Sequence, residues 1–394
     1  MPNHVVDIRG RSLKLDTVAD VERLLEGYDP AVIEEIYLGG NTIGVDASKA
    51  FAAFIDKTQV LRIADFSNIF TGRLISEIPQ ALEALCTSLI PKSTLIEIDL
   101  SDNAFGERSV SPLLPLLTQN THFQIFKLNN NGLGPDAGVR VADALRDSAR
   151  RSKELGQQSN LRTFICGRNR LENGSAKAFA DAFEEHGTLE DVRMPQNGIW
   201  MVGIRHLARG FSNCPNLRYL DLQDNTFTND DEDDGLSAVQ AWANTLRRLP
   251  DLATLNLSDC VLSYHGEVPS ILETLANGSN RNLVDLQLQN NNLDTNSVEV
   301  LANSISTHLA GLKRLDMQAN DADEEEDEGY DMIRKALNKR GGRLILTEED
   351  EEEEMATVGA KEEEEEEEEE KPAPTAVKEV DELAELLANA HIKQ

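Results

Sequence analysis

Residues 161–171 read LRTFICGRNRL, and their spacing decides the fold. Leu161, Phe164 and Cys166 are apolar, Asn169 follows three residues later, and Leu171 closes the unit. The frame is L-x-x-L-x-L-x-x-N-x-L, and it recurs along most of the chain. It fits Leu95-Ile98-Leu100-Asn103-Phe105, Phe123-Phe126-Leu128-Asn131-Leu133 and Leu189-Val192-Met194-Asn197-Ile199. It also fits Leu217-Leu220-Leu222-Asn225-Phe227, Leu252-Leu255-Leu257-Cys260-Leu262 and Leu283-Leu286-Leu288-Asn291-Leu293. Ile36-Leu38-Asn41-Ile43 opens the series and Leu312-Leu315-Met317-Asn320 closes it. A chain built from such units stacks neighbour on neighbour and is read on an extended surface rather than in an enclosed pocket.

The frame is that of a leucine-rich repeat. Its alternating apolar residues form a short strand that points every second side chain into the core. The ladder Asn then satisfies the backbone of the turn, which otherwise carries unpaired polar groups. Cys260 replaces it once. After the turn, apolar positions three and four apart, as in Val141-Ala142-Leu145, predict a helix with one buried face. From Asn103 to Asn320 the ladder advances by 28, 38, 28, 28, 35, 31 and 29 residues. A unit of 28 has room for a full helix. The long spacings predict surface loops at residues 148–160 (SARRSKELGQQSN) and at 229–235 (NDDEDDG).

These features predict an α/β horseshoe, a ribonuclease-inhibitor-like solenoid of about eleven repeats, with a parallel sheet on the concave face and helices on the convex face. A capping unit is expected around Ile8 to Leu15. One repeat is irregular: Leu61-Ala64-Phe66 supplies the strand, but Ile69 stands at the ladder position. Either the frame has drifted there or a local rule is broken for function. Its turn, Phe70-Thr71-Gly72-Arg73, should be exposed and away from the leucine core.

The predicted organisation is a repeat domain over 1–346, an acidic disordered tail over 347–371, and a linker with a short amphipathic helix over 372–394. The net charge is −32, of which residues 347–370 carry −15. Such a balance disfavours nucleic acid and favours a basic protein partner, although a tail of this kind also serves solubility alone. The terminal helix could dock on a partner, act as an export-like signal or fray. No run of 18 apolar residues predicts a membrane span. The four cysteines, 86, 166, 214 and 260, lack metal-binding spacing and suit a reducing compartment. The seven His are dispersed.

Between the core leucines, one strand column reads Asp65, Asp99, Lys127, Ile165, Arg193, Asp221, Asn256, Gln287, Asp316. It is polar and mostly acidic, so it suits a polar partner. No nucleophile–base set and no phosphate loop accompanies it.

Several segments go beyond the frame. Residues 70–73 (FTGR), 100–106 (LSDNAFG), 130–138 (NNGLGPDAG), 166–175 (CGRNRLENGS), 196–199 (QNGI) and 220–228 (LDLQDNTFT) resemble the Ran GTPase-activating protein family. The repeat requires only Cys166, Asn169 and Leu171 of CGRNRLENGS, so that segment is the most specific. The chain is similar to the short fungal form, which lacks the additional C-terminal domain of vertebrate members.

The resemblance implies a cytoplasmic activator, with shuttling or a place at the nuclear envelope as variants. It is expected to act as a monomer on Ran-GTP, in some complexes together with Ran-binding proteins. It needs no cofactor of its own, since GTP and Mg²⁺ belong to the GTPase. It is therefore not an enzyme in itself but acts in trans, supporting nucleocytoplasmic transport. Arg73 matches the arginine on which the family's activity depends, and Asn130 matches the asparagine that contacts Ran's glutamine. The family is described as working without an arginine inserted at the phosphates. In the frame, Asn131 is the ladder residue and should be buried, while Asn130 should face outward. Arg168 and Arg170 flank Asn169, and Asp102 and Asp224 each precede a ladder Asn. All four are candidate partner contacts, or else side chains that serve only their own turns. The rival reading is a non-catalytic acidic binding module, a chaperone or inhibitor of a basic protein.

Overall fold

The computed structural model describes residues 4–228, 237–323 and 327–352. The acidic stretch 229–235, residues 353–371 of the tail and the segment 377–392 lie outside the described residues. The first compact unit, Met1–Leu344, holds the repeats. In the unit that begins at Ile345, Thr347 and Asp350 exchange backbone-to-side-chain bonds of 3.2 Å, as in a capping box.

Twelve short strands form one sheet in chain order. They are Val5–Asp7, Glu35–Tyr37, Ile63–Asp65, Glu97–Asp99, Ile125–Lys127 and Thr163–Ile165, then Asp191–Arg193, Tyr219–Asp221, Thr254–Asn256, Asp285–Gln287, Arg314–Asp316 and Arg343–Ile345. Neighbours run parallel and in step, with Ala64 opposite Ile98, Ile98 opposite Phe126, and Phe126 opposite Phe164. The central residue of each strand is buried because the pleat sends it into the core, and the first residue faces the other way, half-buried. A parallel neighbour needs a crossover, and each regular repeat supplies a helix for it. Helices Gly134–Glu154, Glu172–His186, Met201–Phe211 and Ala238–Leu246 follow one another in this way. A second, two-stranded parallel ribbon pairs Lys14–Leu15 with Thr42–Ile43.

A file of aromatic side chains runs through the middle of the leucine-rich core between sheet and helices. Ring centroids lie 6.1 Å apart for Phe126 and Phe164, 5.7 Å for Phe164 and Phe183, 4.9 Å for Phe183 and Phe211, and 5.7 Å for Phe211 and Trp242. Each such pair adds about 0.5–1.5 kcal/mol to the burial of its area. The Trp242 indole N–H donates to the Ile204 carbonyl at 3.0 Å, so the buried polar atom is satisfied.

One sequence expectation is overturned here. Residues 148–154 are not loop but the last two turns of the 21-residue helix Gly134–Glu154. Ser148, Ala149 and Ser152 are buried, and Arg150 and Lys153 each approach Glu185 of the next helix at 3.6 Å. Arg, Lys and Glu are good helix formers, and basic residues suit the negative end of the helix. The extra residues therefore lengthen the helix before the chain turns. Among the described residues no helix is long and apolar enough to cross a membrane.

Candidate functional site

The Asn ladder fixes which side chains reach the edge of the sheet. Asn131 is fully buried. Its Nδ2 donates to the carbonyls of Leu100, Leu128 and Asn129 at 3.0, 3.2 and 3.0 Å, while its Oδ1 accepts the Asn103 N–H at 2.9 Å. The Asn131 N–H donates in turn to Asn169 Oδ1, and that of Asn169 to Asn197 Oδ1. At Cys260 the thiol donates to the Leu222 carbonyl at 3.3 Å. All four cysteines are free and buried. Burial pushes the thiols of Cys86, Cys166 and Cys214 up to about 12, so they are unreactive.

The residue before each ladder position is turned out by its backbone. Asn68, Asp102, Asn130, Arg168, Gln196, Asp224, Asp259 and Asn290 all have left-handed φ between 47° and 61°. Asn and Asp tolerate this region because their short side chains bond locally, whereas Arg and Gln carry the steric cost. Asp102, Asn130, Arg168, Arg170 and Asp224 are all exposed, as their places in the frame predict. Arg168, Arg170 and Glu172 are left-handed at alternate positions within CGRNRLENGS. The same alternation recurs at Asp102, Ala104 and Gly106 and at Asp259 and Val261, so it belongs to the repeat turn rather than to this segment alone.

Along this edge the side chains pair between repeats. Asn130 Nδ2 donates to Asp102 Oδ1 at 2.9 Å. Arg168 Nε donates to Gln196 Oε1 at 2.5 Å. Asp102 and Arg168 thus already have partners within the chain, which their reading as contacts of another protein did not include. A carboxylate only accepts, so Asp102 fixes the Asn130 amide with its nitrogen, not its carbonyl oxygen, towards Asp102.

Arg73 departs from its sequence reading. It is not an exposed turn residue: its side chain keeps only 8% of its accessible surface. Nη1 pairs with Asp16, and Nη2 donates to the carbonyls of Leu15 and Thr42 at 3.1 and 2.9 Å. The guanidinium holds the Asp16 carboxyl below the usual carboxylate range. Ile69, at the missing ladder position, is wholly buried, and its N–H donates to Asn103 Oδ1 at 2.8 Å. Phe70 forms a bridge to Thr42 and packs on Phe105, 6.2 Å between centroids. One strand, Glu97–Asp99, separates the Arg73 repeat from the Asn130 repeat, so the two strands lie about 10 Å apart.

The polar strand column is a true register column: Asp65, Asp99, Lys127, Ile165, Arg193, Asp221, Asn256, Gln287 and Asp316 pair in sequence across the sheet. Burial raises the carboxyls of Asp99, Asp221 and Asp316. Lys127 Nζ meets Glu97 Oε1 at 2.5 Å, and Arg193 pairs with Asp191 at 2.8 Å.

Two residues of the site escaped the sequence reading, Asp16 and Gly44. Gly44 has an ordinary backbone, φ −85° and ψ 176°, so no turn demands glycine. A Cβ there would lie 3.1 Å from Arg73 Nη1 and 3.4 Å from Asp16 Oδ1.

Comparison with known proteins agrees with this architecture. A leucine-rich repeat family model matches residues 213–231. The chain is 35% identical to Ran GTPase-activating protein 1 of Saccharomyces cerevisiae over 340 residues, 83% of this chain and 82% of that protein. It is 44% identical over 200 residues to Ran GTPase-activating protein 1 of Xenopus laevis, 49% of this chain and 34% of that one. It is 36% identical over 217 residues to the Ran GTPase-activating protein of Drosophila melanogaster, 54% of this chain and 36% of the relative. The chain thus spans about a third of the length of these two animal relatives. On the extent of its match to the yeast protein, the chain belongs to the Ran GTPase-activating protein family.

Proposed function

We propose that the chain binds Ran-GTP and accelerates its hydrolysis by holding Ran's own glutamine. The observation that carries this reading is the Asn130 amide. It sits exposed on the sheet edge, and Asp102 accepts from one of its two N–H groups. Its carbonyl oxygen, without a hydrogen-bond partner among the described residues, is an acceptor suited to an N–H of a glutamine side chain. A glutamine held by its nitrogen keeps its own carbonyl free to accept a proton of the attacking water. The chemistry stays with the GTPase, which brings nucleotide and Mg²⁺, so the chain acts in trans rather than as an enzyme on its own substrate. Catalysis is by positioning and preorganised polarity. Cytoplasmic action, which maintains the direction of nucleocytoplasmic transport, follows from the same reading.

The test is GTP hydrolysis on Ran, with Ras as control, at trace amounts of the chain. Stimulation of Ran alone, at concentrations far below the GTPase, is expected. An acceleration of about 10⁵ would correspond to about 7 kcal/mol of barrier. A response that saturates only at stoichiometry would instead favour the inhibitor or chaperone reading.

A further inference from the structure

An arginine that works without entering the partner's phosphate site needs its place in its own chain fixed, whereas a free side chain could swing. The surroundings of Arg73 hold it fixed. Three of its hydrogen bonds lead to the first two turns of the chain: the Asp16 carboxylate, the Leu15 carbonyl and the Thr42 carbonyl. Leu15 and Thr42 belong to the two-stranded ribbon, and Thr42 is bridged to Phe70. Withdrawing the guanidinium would break an ion pair and leave the Thr42 carbonyl without this donor. Gly44 supplies the space the guanidinium fills. Even the Nε atom is buried, with no hydrogen-bond partner among the described residues.

The clamp continues towards the Asn130 edge. Arg73 closes a turn in which its N–H donates to the Phe70 carbonyl at 3.0 Å and Thr71 Oγ1 donates to Asn68 Oδ1 at 2.6 Å. The Asn68 N–H donates to the Ser101 carbonyl at 2.9 Å, and Ser101 precedes Asp102. Phe70 packs on Phe105, which ends the turn that carries Asp102. Asp102 holds Asn130. Each step is a direct contact in a packed edge.

We infer that Asp16 and Gly44 are positioning residues that fix Arg73 and, through it, the turn beside Asp102 and Asn130. The inference rests on the activator reading above. It makes the opening turns of the chain part of the activating machinery rather than only a cap on the array.

The experiment is multiple-turnover Ran-GTP hydrolysis with the full chain and the variants Arg73→Ala, Asp16→Ala, Asp16→Glu, Gly44→Ala and the double variant Asp16→Ala/Arg73→Ala. Asp16→Ala and Gly44→Ala should each lower kcat by about tenfold or more with KM within about twofold, since small misplacements are costly. Asp16→Glu should recover part of the loss, and the double variant should be no worse than Arg73→Ala alone. Gly44→Ala keeps an allowed backbone, so it guards against a variant that merely fails to fold. Activity of Asp16→Ala equal to or above the parent would mean the arginine works when released, and would overturn the clamp. Additive losses in the double variant would overturn it too. The clamp also has a readout that needs no Ran. The Asp16 carboxyl, titrated by NMR, should stand low in the parent and return towards its ordinary value in Arg73→Ala. If the parent fails to stimulate Ran while Asp16 behaves so, the function reading falls and the clamp stands.

Discussion

Asp102 and Asn130 occupy the same position in successive repeats, and a 2.9 Å hydrogen bond from amide nitrogen to carboxylate joins them across the repeat boundary. Both lie on the exposed edge and both are held outward by a left-handed backbone. The bond gives the amide a direction. Without the carboxylate, oxygen and nitrogen of Asn130 can exchange places. Asp102→Ala is therefore expected to reduce the maximal stimulated rate of Ran-GTP hydrolysis by about fivefold, matching a loss of about 1 kcal/mol. Melting temperature should hardly change. Asp102→Asn should fall between, because its amide can either accept from Asn130 or donate to it. An unchanged kcat with a raised KM in Asp102→Ala would make Asp102 a docking residue instead.

Asn130 and Asn131 are adjacent yet should fail differently. Asn131→Ala removes the donor shared by three carbonyls and the acceptor of the Asn103 N–H, all in a buried turn. A loss of about 1–3 kcal/mol of stability is expected. Asn130→Ala should melt like the parent and lose maximal rate. Urea denaturation of both, beside the Ran assay, separates the two roles. Equal destabilisation would undo the assignment.

That contrast was legible in the sequence because the repeat frame fixes a period, and a period fixes which side chains point in. Asn131 and Asn130 followed from counting along the frame. Arg73 did not. Its partner Asp16 lies 57 residues away, in an opening segment with no full frame to register it against the third turn. Burial of Arg73 is a tertiary fact, and FTGR on an irregular turn reads as exposed. The longer helix Gly134–Glu154 was missed for a related reason: spacing counts inserted residues but not their conformation. The Asp102–Asn130 bond lies between these cases. The frame aligned the two positions but was silent on how their side chains would meet.

Stability should fall in mild acid through His186. Its ring is buried, Nδ1 lies 2.6 Å from Ser159 Oγ, and burial lowers its pKa from 6.5 to about 4. The folded protein therefore resists the proton that the unfolded chain accepts. The stability linked to neutral His186 is complete above pH 6.5 and is lost as pH falls towards 4, by up to about 3 kcal/mol. Asp99, Asp221 and Asp316, raised by burial, act in the opposite sense at low pH. They are common to parent and variant, so a comparison cancels them. His186→Asn should lose less stability than the parent between pH 7.5 and pH 5, measured by urea midpoints. Identical losses would show that His186 is not held neutral in the fold.

The acidic segment should act on association and not on chemistry. Residues 347–370 carry a net −15 of the chain's −32, so their removal roughly halves the charge a basic surface of Ran would meet. Surface electrostatics of this kind steers encounter and is screened within about 8 Å at physiological salt. A chain cut after Leu346 keeps the strand Arg343–Ile345 and the helix Glu328–Asn338 that precedes it. It should remain folded and keep the parental kcat, because Asp16, Arg73, Asp102 and Asn130 all lie in the first 130 residues. Its association rate with Ran-GTP should be lower at low salt and converge on the parent's as salt is raised. Stopped-flow binding at two ionic strengths, with the hydrolysis assay beside it, reads both quantities. A folded, truncated chain that fails to stimulate Ran at any salt would move the activity into the tail, against the geometry of the Asn130 edge.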